Sequence, residues 1–298
     1  MKKYDSHKKR SPYKTRVLGI CCFLVVGLGI SITSLYFTSN EFATELRQVR
    51  QPKANRFYIG IDISQTIRPD ILADFKDALI LRLKGFIGEK TVSYHVSIFG
   101  LPGCGRESIA DIVSTQSPED PASFGRRVEK RIRKISIARK TKGDEDSPPL
   151  ATPFFCFLEK ILTERIGQRA IIFSDLVNDD SGCQKHYSFP VEAITKFGIN
   201  KESQIIFFYP TPYTTDRYYT PELHEKLIKN QVNFIIAMQK LSSKGKVRAF
   251  FYHIPDDPQK RLSFLRSHLQ NSVPVTTFEI IWERVSKIIN ILIAAVRG

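Results

Sequence analysis

Phe57-Tyr-Ile-Gly-Ile-Asp62-Ile-Ser64-Gln-Thr66 decides how this chain is read. Five mostly apolar residues run into Asp62, and Asp62, Ser64 and Thr66 then follow at every second position. A short β-rich apolar run that ends in a polar loop predicts a buried strand of a parallel sheet. Ligands of open α/β sheets gather where such strands end. Three oxygen-bearing side chains in one loop are what a hard divalent cation needs. The same residue types also build ordinary turns and helix caps, and Arg68-Pro69-Asp70 opens a predicted helix just beyond.

Working outward, strands and helices alternate. Pro69 to Phe86 places Ile71, Leu72, Phe75, Leu79, Leu83 and Phe86 at helical spacing, with Pro69 suited to the first turn. Val92 to Phe99 alternates as a second strand. Ser108 to Val113 reads as either a short strand or a short helix. Phe124 to Ile137 predicts a helix with a narrow apolar stripe of Val128, Ile132 and Ile135. Further elements follow: a helix over 154–166, a strand over 170–173, a short helix over 191–197 and a strand over 204–209. Then come a helix over 221–241, a strand over 247–254, one or two helical turns within 257–269 and an amphipathic helix over 278–296. This alternation predicts a doubly wound, mostly parallel Rossmann-like sheet flanked by helices, as one domain over 56–298.

The chain has 298 residues and a formal net charge of +15, which favours an anionic neighbour. Residues 1–16 hold seven Lys and Arg against Asp5, and Val17 to Phe37 carries no charge. About twenty such residues span a bilayer. The segment 17–37 is therefore expected to be a transmembrane signal-anchor, with residues 1–16 cytoplasmic, 38–55 a linker and the main domain extracytoplasmic. A cleaved signal peptide is the alternative. The basic run Arg126, Arg127, Lys130, Arg131, Arg133 and Lys134 is either a solvated helix face or a patch for an anionic surface or acidic partner; nucleic acid is the least favoured partner. None of the five cysteines is spaced as a zinc ligand pair. Cys104 and Cys183 both fall in loops at the ligand-binding edge, as a disulfide if the domain is exported or as two free thiols otherwise.

Thr152, in Leu-Ala-Thr-Pro before a helix, and Asp175, in Ile-Ile-Phe-Ser-Asp after a strand, join the first motif in order. The set Asp62, Ser64, Thr66, Thr152 and Asp175 resembles the metal-ion-dependent adhesion site of the von Willebrand factor A family, with Thr66 in place of a Ser. The resemblance implies that family's fold over about 56–255 and a Mg²⁺ or Mn²⁺ site. It also implies a protein ligand that completes the metal's coordination with an Asp or Glu, which is binding and not catalysis. Two other readings stand beside it. One is the same scaffold without metal. The other is a haloacid dehalogenase-like phosphatase built on Asp62, Thr66, Ser97 and Asp179-Asp180, which would need a second carboxylate where Ser64 stands.

Overall fold

The computed structural model describes residues 55–138, 151–164, 169–180, 182–200, 203–214 and 220–272. These fall in the compact unit Ala54–Gly298. The basic N-terminus, the 17–37 segment, nearly all of the 38–55 linker and the 278–296 helix lie outside the described residues.

The strands are β1 (Asn55–Asp62), β2 (Val92–Phe99), β3 (Ile109–Gln116), β4 (Arg169–Phe173), β5 (Gln204–Tyr209) and β6 (Ala249–His253). The helices are α1 (Pro69–Lys84), α2 (Pro121–Phe124), α3 (Lys130–Arg133), α4 (Phe154–Glu164), α5 (Val191–Gly198), α6 (Pro221–Ser243) and α7 (Pro258–Ser272), with a π-helical turn, Gly125–Glu129, joining α2 to α3. The sheet order is β3-β2-β1-β4-β5-β6.

Two expectations are corrected here. The sheet is mixed: β3 runs antiparallel to β2, with a register shift at Val96/Ser97, while the other neighbours are parallel. A parallel β3 would need a crossover of a dozen or more residues. The connection after β2, residues 100–108, is shorter than that and holds no crossover helix, so the chain turns back on itself. The Ser108–Val113 ambiguity thus resolves to a strand that buries Ile109 on one face of the sheet and Val113 on the other, the register shift lying between them. The second correction concerns the transmembrane helix placed ahead of the sheet. No helix among the described residues is long and apolar enough to cross a membrane.

Two helix ends also differ from expectation. The helix expected at Phe124 starts at Pro121, where the Asp120 side chain accepts the Ser123 amide at 2.9 Å. The turns expected after Asp257 form a full helix, α7. Its Arg261 is completely buried and bonds Asp70 at 2.9 Å, Asp74 at 3.1 Å and the carbonyls of Pro255 and Asp256. A charge this deep is tolerated because its donors are matched by acids and carbonyls. It fixes α7 to the first turns of α1.

Period-2 alternation along β1 divides the core. Phe57, Ile59 and Ile61 join α1, the α2–α3 run and α7 on one face, with Phe75 stacked on Phe173 at 4.4 Å. Tyr58 and Gly60 face α4, α5 and α6 on the other. Gly60 is there because α4 comes down on β1 through Phe157, which also stacks on Phe99 at 4.2 Å.

A methyl group at position 60 would overlap the Phe157 ring. Gly60→Ala should therefore lower stability in urea denaturation by about 1–3 kcal/mol. Adding Phe157→Leu should recover part of that loss, which a defect unrelated to this contact would not allow.

Candidate functional site

The sheet topology sets the site. β1 lies between β2 and β4, and the chain leaves β1 towards β2 but leaves β4 towards β5 on the opposite side. The C-terminal ends of β1 and β4 therefore open a crevice between diverging connections. Asp62 closes β1, and Asp175 follows β4 by two residues; both are fully buried.

The loop after β1 is shaped by its own polar groups. Asp62 Oδ1 accepts the Ser64 amide at 2.9 Å, an Asx turn, and the Ile67 amide reaches the Ser64 carbonyl at 3.2 Å. The Ser64 and Thr66 hydroxyls share a hydrogen bond of 3.0 Å. Neighbouring segments hold the loop on three sides: the Ile63 amide donates to the Phe99 carbonyl, the Ala138 amide to the Ile63 carbonyl and the Tyr213 amide to the Thr66 carbonyl. Gly100, at φ +91°, lets the β2–β3 connection pass so close that a Cβ would sit 3.1 Å from the Ser64 nitrogen.

Asp175 is braced from below. Its Oδ1 accepts the Val177 amide at 3.1 Å, and its carbonyl accepts Gln231 Nε2 at 2.7 Å; the same amide also donates to the Pro210 carbonyl. Leu176 sits in the left-handed region at φ 64°, uncommon for a branched residue. Its amide donates to Ser174 Oγ at 3.0 Å, and Ser174 Oγ in turn donates to Asp62 Oδ2 at 2.7 Å. Ser174 thus joins the two strand ends. Its signal in the sequence is its place directly before Asp175 at a strand end. Gln231 had no local signal, because its partners are 21 and 56 residues away in sequence.

Both acids are held above the ordinary carboxylate range. Burial pushes Asp62 up to about 7, helped by the charge of Asp175 and opposed by the bonds from Ser174 and Ser64. Burial pushes Asp175 up to about 6, opposed by the Thr66 hydroxyl and the Val177 amide. Asp62 has a donor on each oxygen, whereas Asp175 Oδ2 is buried with no hydrogen-bond partner.

The structure thus brings Asp62, Ser64, Thr66 and Asp175 together. Thr152 is buried at the start of α4 and bridges to Asp179, each amide donating to the other's carbonyl; its hydroxyl makes no hydrogen bond to the other four. The phosphatase constellation is not assembled. Ser97 Oγ donates to Asp111 at 2.8 Å, and Asp180 bonds His186 and the Tyr187 amide, with no hydrogen bond to Asp62. Cys104 and Cys183 are joined in a disulfide, which ties the β2–β3 connection to the loop after β4. All six side chains of the basic run are exposed, with Arg133 paired to Asp77 and Glu129.

No family model and no curated protein matches the chain. Among solved structures, it is similar to the pilus adhesin SpaC from Lactobacillus rhamnosus GG in its open conformation, at 12% identity and a TM-score of 0.44, covering 74% of this chain and 30% of that one. It is also similar to the PilB minor pilin from Streptococcus sanguinis, at 10% identity and a TM-score of 0.40, covering 75% and 63%. The chain therefore spans less than two thirds of either protein, and likeness at this level assigns no residue a role.

The von Willebrand factor A resemblance is corrected accordingly. No family model supports it. Among the described residues, no three His, Cys, Asp or Glu side chains gather where they could hold a metal ion. The physical reason lies in the motif itself. Asp-x-Ser-x-Thr contributes one carboxylate, Asp175 adds a second, and the remaining oxygens are neutral hydroxyls, so the family's adhesion motif is not established by this geometry.

The two raised acids fix a pH dependence. Between about pH 4 and 7, the folded chain binds more protons than the unfolded one, so unfolding free energy falls as pH rises through that window. In chelator, the melting temperature should be lower at pH 8 than at pH 5. Asp175→Asn should flatten the profile and stabilise the protein at pH 8 by roughly 2 kcal/mol. A steeper profile in the variant would contradict the assignment.

Proposed function

We propose that this domain is a protein-binding module whose β1/β4 edge takes a hard divalent cation, Mg²⁺ or Mn²⁺. One observation carries the reading: Asp175 Oδ2 is fully buried, has no hydrogen-bond partner and lies in the field of a second buried carboxylate. Such a pair needs a proton or a cation, and hydroxyl and carboxylate oxygens suit a small hard ion better than zinc. Asp62, Ser64, Thr66 and Asp175 would hold the ion, with Thr152 as a further oxygen from the neighbouring loop. With few carboxylates around it, the bound ion supplies residual positive charge that an Asp or Glu of a partner protein can satisfy.

The chain's own residues prepare that edge. Ser174 orients Asp62, Gln231 and the Val177 amide orient Asp175, and Gly100 lets the adjacent loop close over Ser64. Binding rather than catalysis is favoured because Ser64 stands where a phosphatase would need its general acid/base carboxylate. An extracytoplasmic position is part of the same reading. The Cys104–Cys183 disulfide supports it, since such bonds persist in oxidising compartments. The metal-free scaffold is the second reading; in it the two acids share a proton.

Mg²⁺ or Mn²⁺ titrated at pH 8 into the soluble chain from residue 53 should raise its melting temperature. At a hundredfold excess over the dissociation constant, the gain is about 2.7 kcal/mol. Asp62→Ala and Asp175→Asn should abolish the shift. An unchanged shift in both variants, or none in the wild type, would leave the metal-free scaffold. For topology, a C-terminal reporter that works only in the cytoplasm should be silent in the full chain, and activity there would reverse the orientation.

A further inference from the structure

A second surface lies on the α1 side of the sheet, and the cation reading does not use it. It is an open groove of about 790 Å³ between α1, the β2–β3 connection and the segment after α3. Its floor is apolar, formed by Leu72 of α1, Ile98 of β2, Ile112 of β3, Leu101 and Ile137. Lys76, Arg131 and Lys134 line it as well. Exposed apolar concavities with a polar rim mark interaction sites more often than bare surface does.

The charges on this rim are short of acids. Lys76 Nζ donates to the carbonyls of Arg133 and Ile135 at 3.2 and 2.7 Å, and Arg131 Nη1 donates to the Ile112 carbonyl at 3.2 Å. Carbonyls fix these cations in place without cancelling their charge. Asp77 acts on Lys76 electrostatically, yet its carboxylate is bonded to Arg133. Lys134, and Lys130 one turn before it, are exposed and form no ion pair among the described residues. The rim therefore carries a net positive charge beside an apolar floor, on a chain whose formal charge is +15.

We infer that this groove binds a segment of a partner protein that mixes acidic and apolar residues, its apolar side chains on the floor and its carboxylates at the Lys76, Arg131 and Lys134 rim. The concave shape separates this from a lipid surface, which meets charges arrayed on a flat or convex face. Ile63, between Asp62 and Ser64, is also part of the wall, so the groove adjoins the candidate cation site. Groove binding itself needs no cation.

The test uses the full chain in chelator, which removes any cation-mediated contribution. Fluorescence anisotropy is read with a labelled peptide alternating glutamate and leucine, against one alternating lysine and leucine and against vesicles of phosphatidylcholine with phosphatidylglycerol. The glutamate–leucine peptide should bind, more weakly at high salt, and the lysine–leucine peptide should not. The double variant Lys130→Glu, Lys134→Glu alters exposed side chains and should weaken binding roughly tenfold. Ile137→Asp, checked for an unchanged melting temperature, should weaken it independently of salt. Absent binding, equal binding of both peptides, or an unchanged affinity in the charge-reversal variant would each overturn the inference. Charge-dependent vesicle binding without peptide binding would make the run a membrane-facing patch instead. Because chelator is present throughout, failure here leaves the cation reading untouched, and failure of the metal titration leaves the groove untouched.

Discussion

Two carboxylates buried at the ends of adjacent parallel strands are the constraint around which this domain is arranged. Each acid alone would be costly to ionise out of water, and together each makes the other harder to charge. A fold keeps such a pair when surrounding donors and backbone leave it little freedom. Here the surroundings do so in layers. Ser174 spans the two strands, the Asx turn at Ser64 fixes one oxygen of Asp62, and Gln231 reaches from α6 to hold the backbone of Asp175. Moving either acid means breaking bonds on a different element.

The layers continue outward. The loop carrying Ser64 and Thr66 runs straight into α1, and the first turns of α1 are held by Arg261 from α7. Gly100 presses the β2–β3 connection against that loop, and the same connection is cross-linked to the loop after β4 by Cys104–Cys183. Removing a native disulfide costs typically 2–5 kcal/mol in small secreted domains, comparable to breaking one buried ion pair. The site edge is thus fixed by one covalent and one ionic cross-link, each joining segments far apart in sequence.

That distance in sequence separates what could be read in advance from what could not. β1, β4 and β5 were legible because strands buried on both faces are written as mostly apolar runs, and β2 because Val92, Tyr94, Val96 and Ile98 alternate with polar residues. β3 was ambiguous because one face is exposed: Asp111 and Ser114 interrupt the pattern. α7 was under-read for the opposite reason. Arg261 counts as a surface residue in any pattern, and its burial depends on Asp70 and Asp74, nearly two hundred positions earlier. Asp120-Pro121 is a legible helix start, a capping acid followed by a proline, lying ahead of the apolar stripe that begins at Val128. At the site, Asp62 and Asp175 were visible as polar residues closing apolar strands. Ser174, Gln231 and Gly100 were not, since their roles exist only once β4, α6 and the β2–β3 connection meet the β1 loop. The family resemblance over-read the same motif, because order along the chain says nothing about how many carboxylates converge.

The frame treats the two acids differently. Asp62 has both oxygens satisfied by the protein, so it behaves as a fixed part of the frame. Asp175 has one oxygen satisfied and one bare, directly before a leucine held at positive φ. Holding a branched residue there costs of order 1–3 kcal/mol, and such strain persists only where the surroundings over-determine it. The Ser174 hydroxyl takes the Leu176 amide, so the atom that orients Asp62 also holds the strained turn after Asp175. The Thr66 hydroxyl and the Val177 amide favour the charged form of Asp175, but burial outweighs them and holds the acid above the ordinary carboxylate range, so its bare oxygen leaves a buried charge that the frame does not answer.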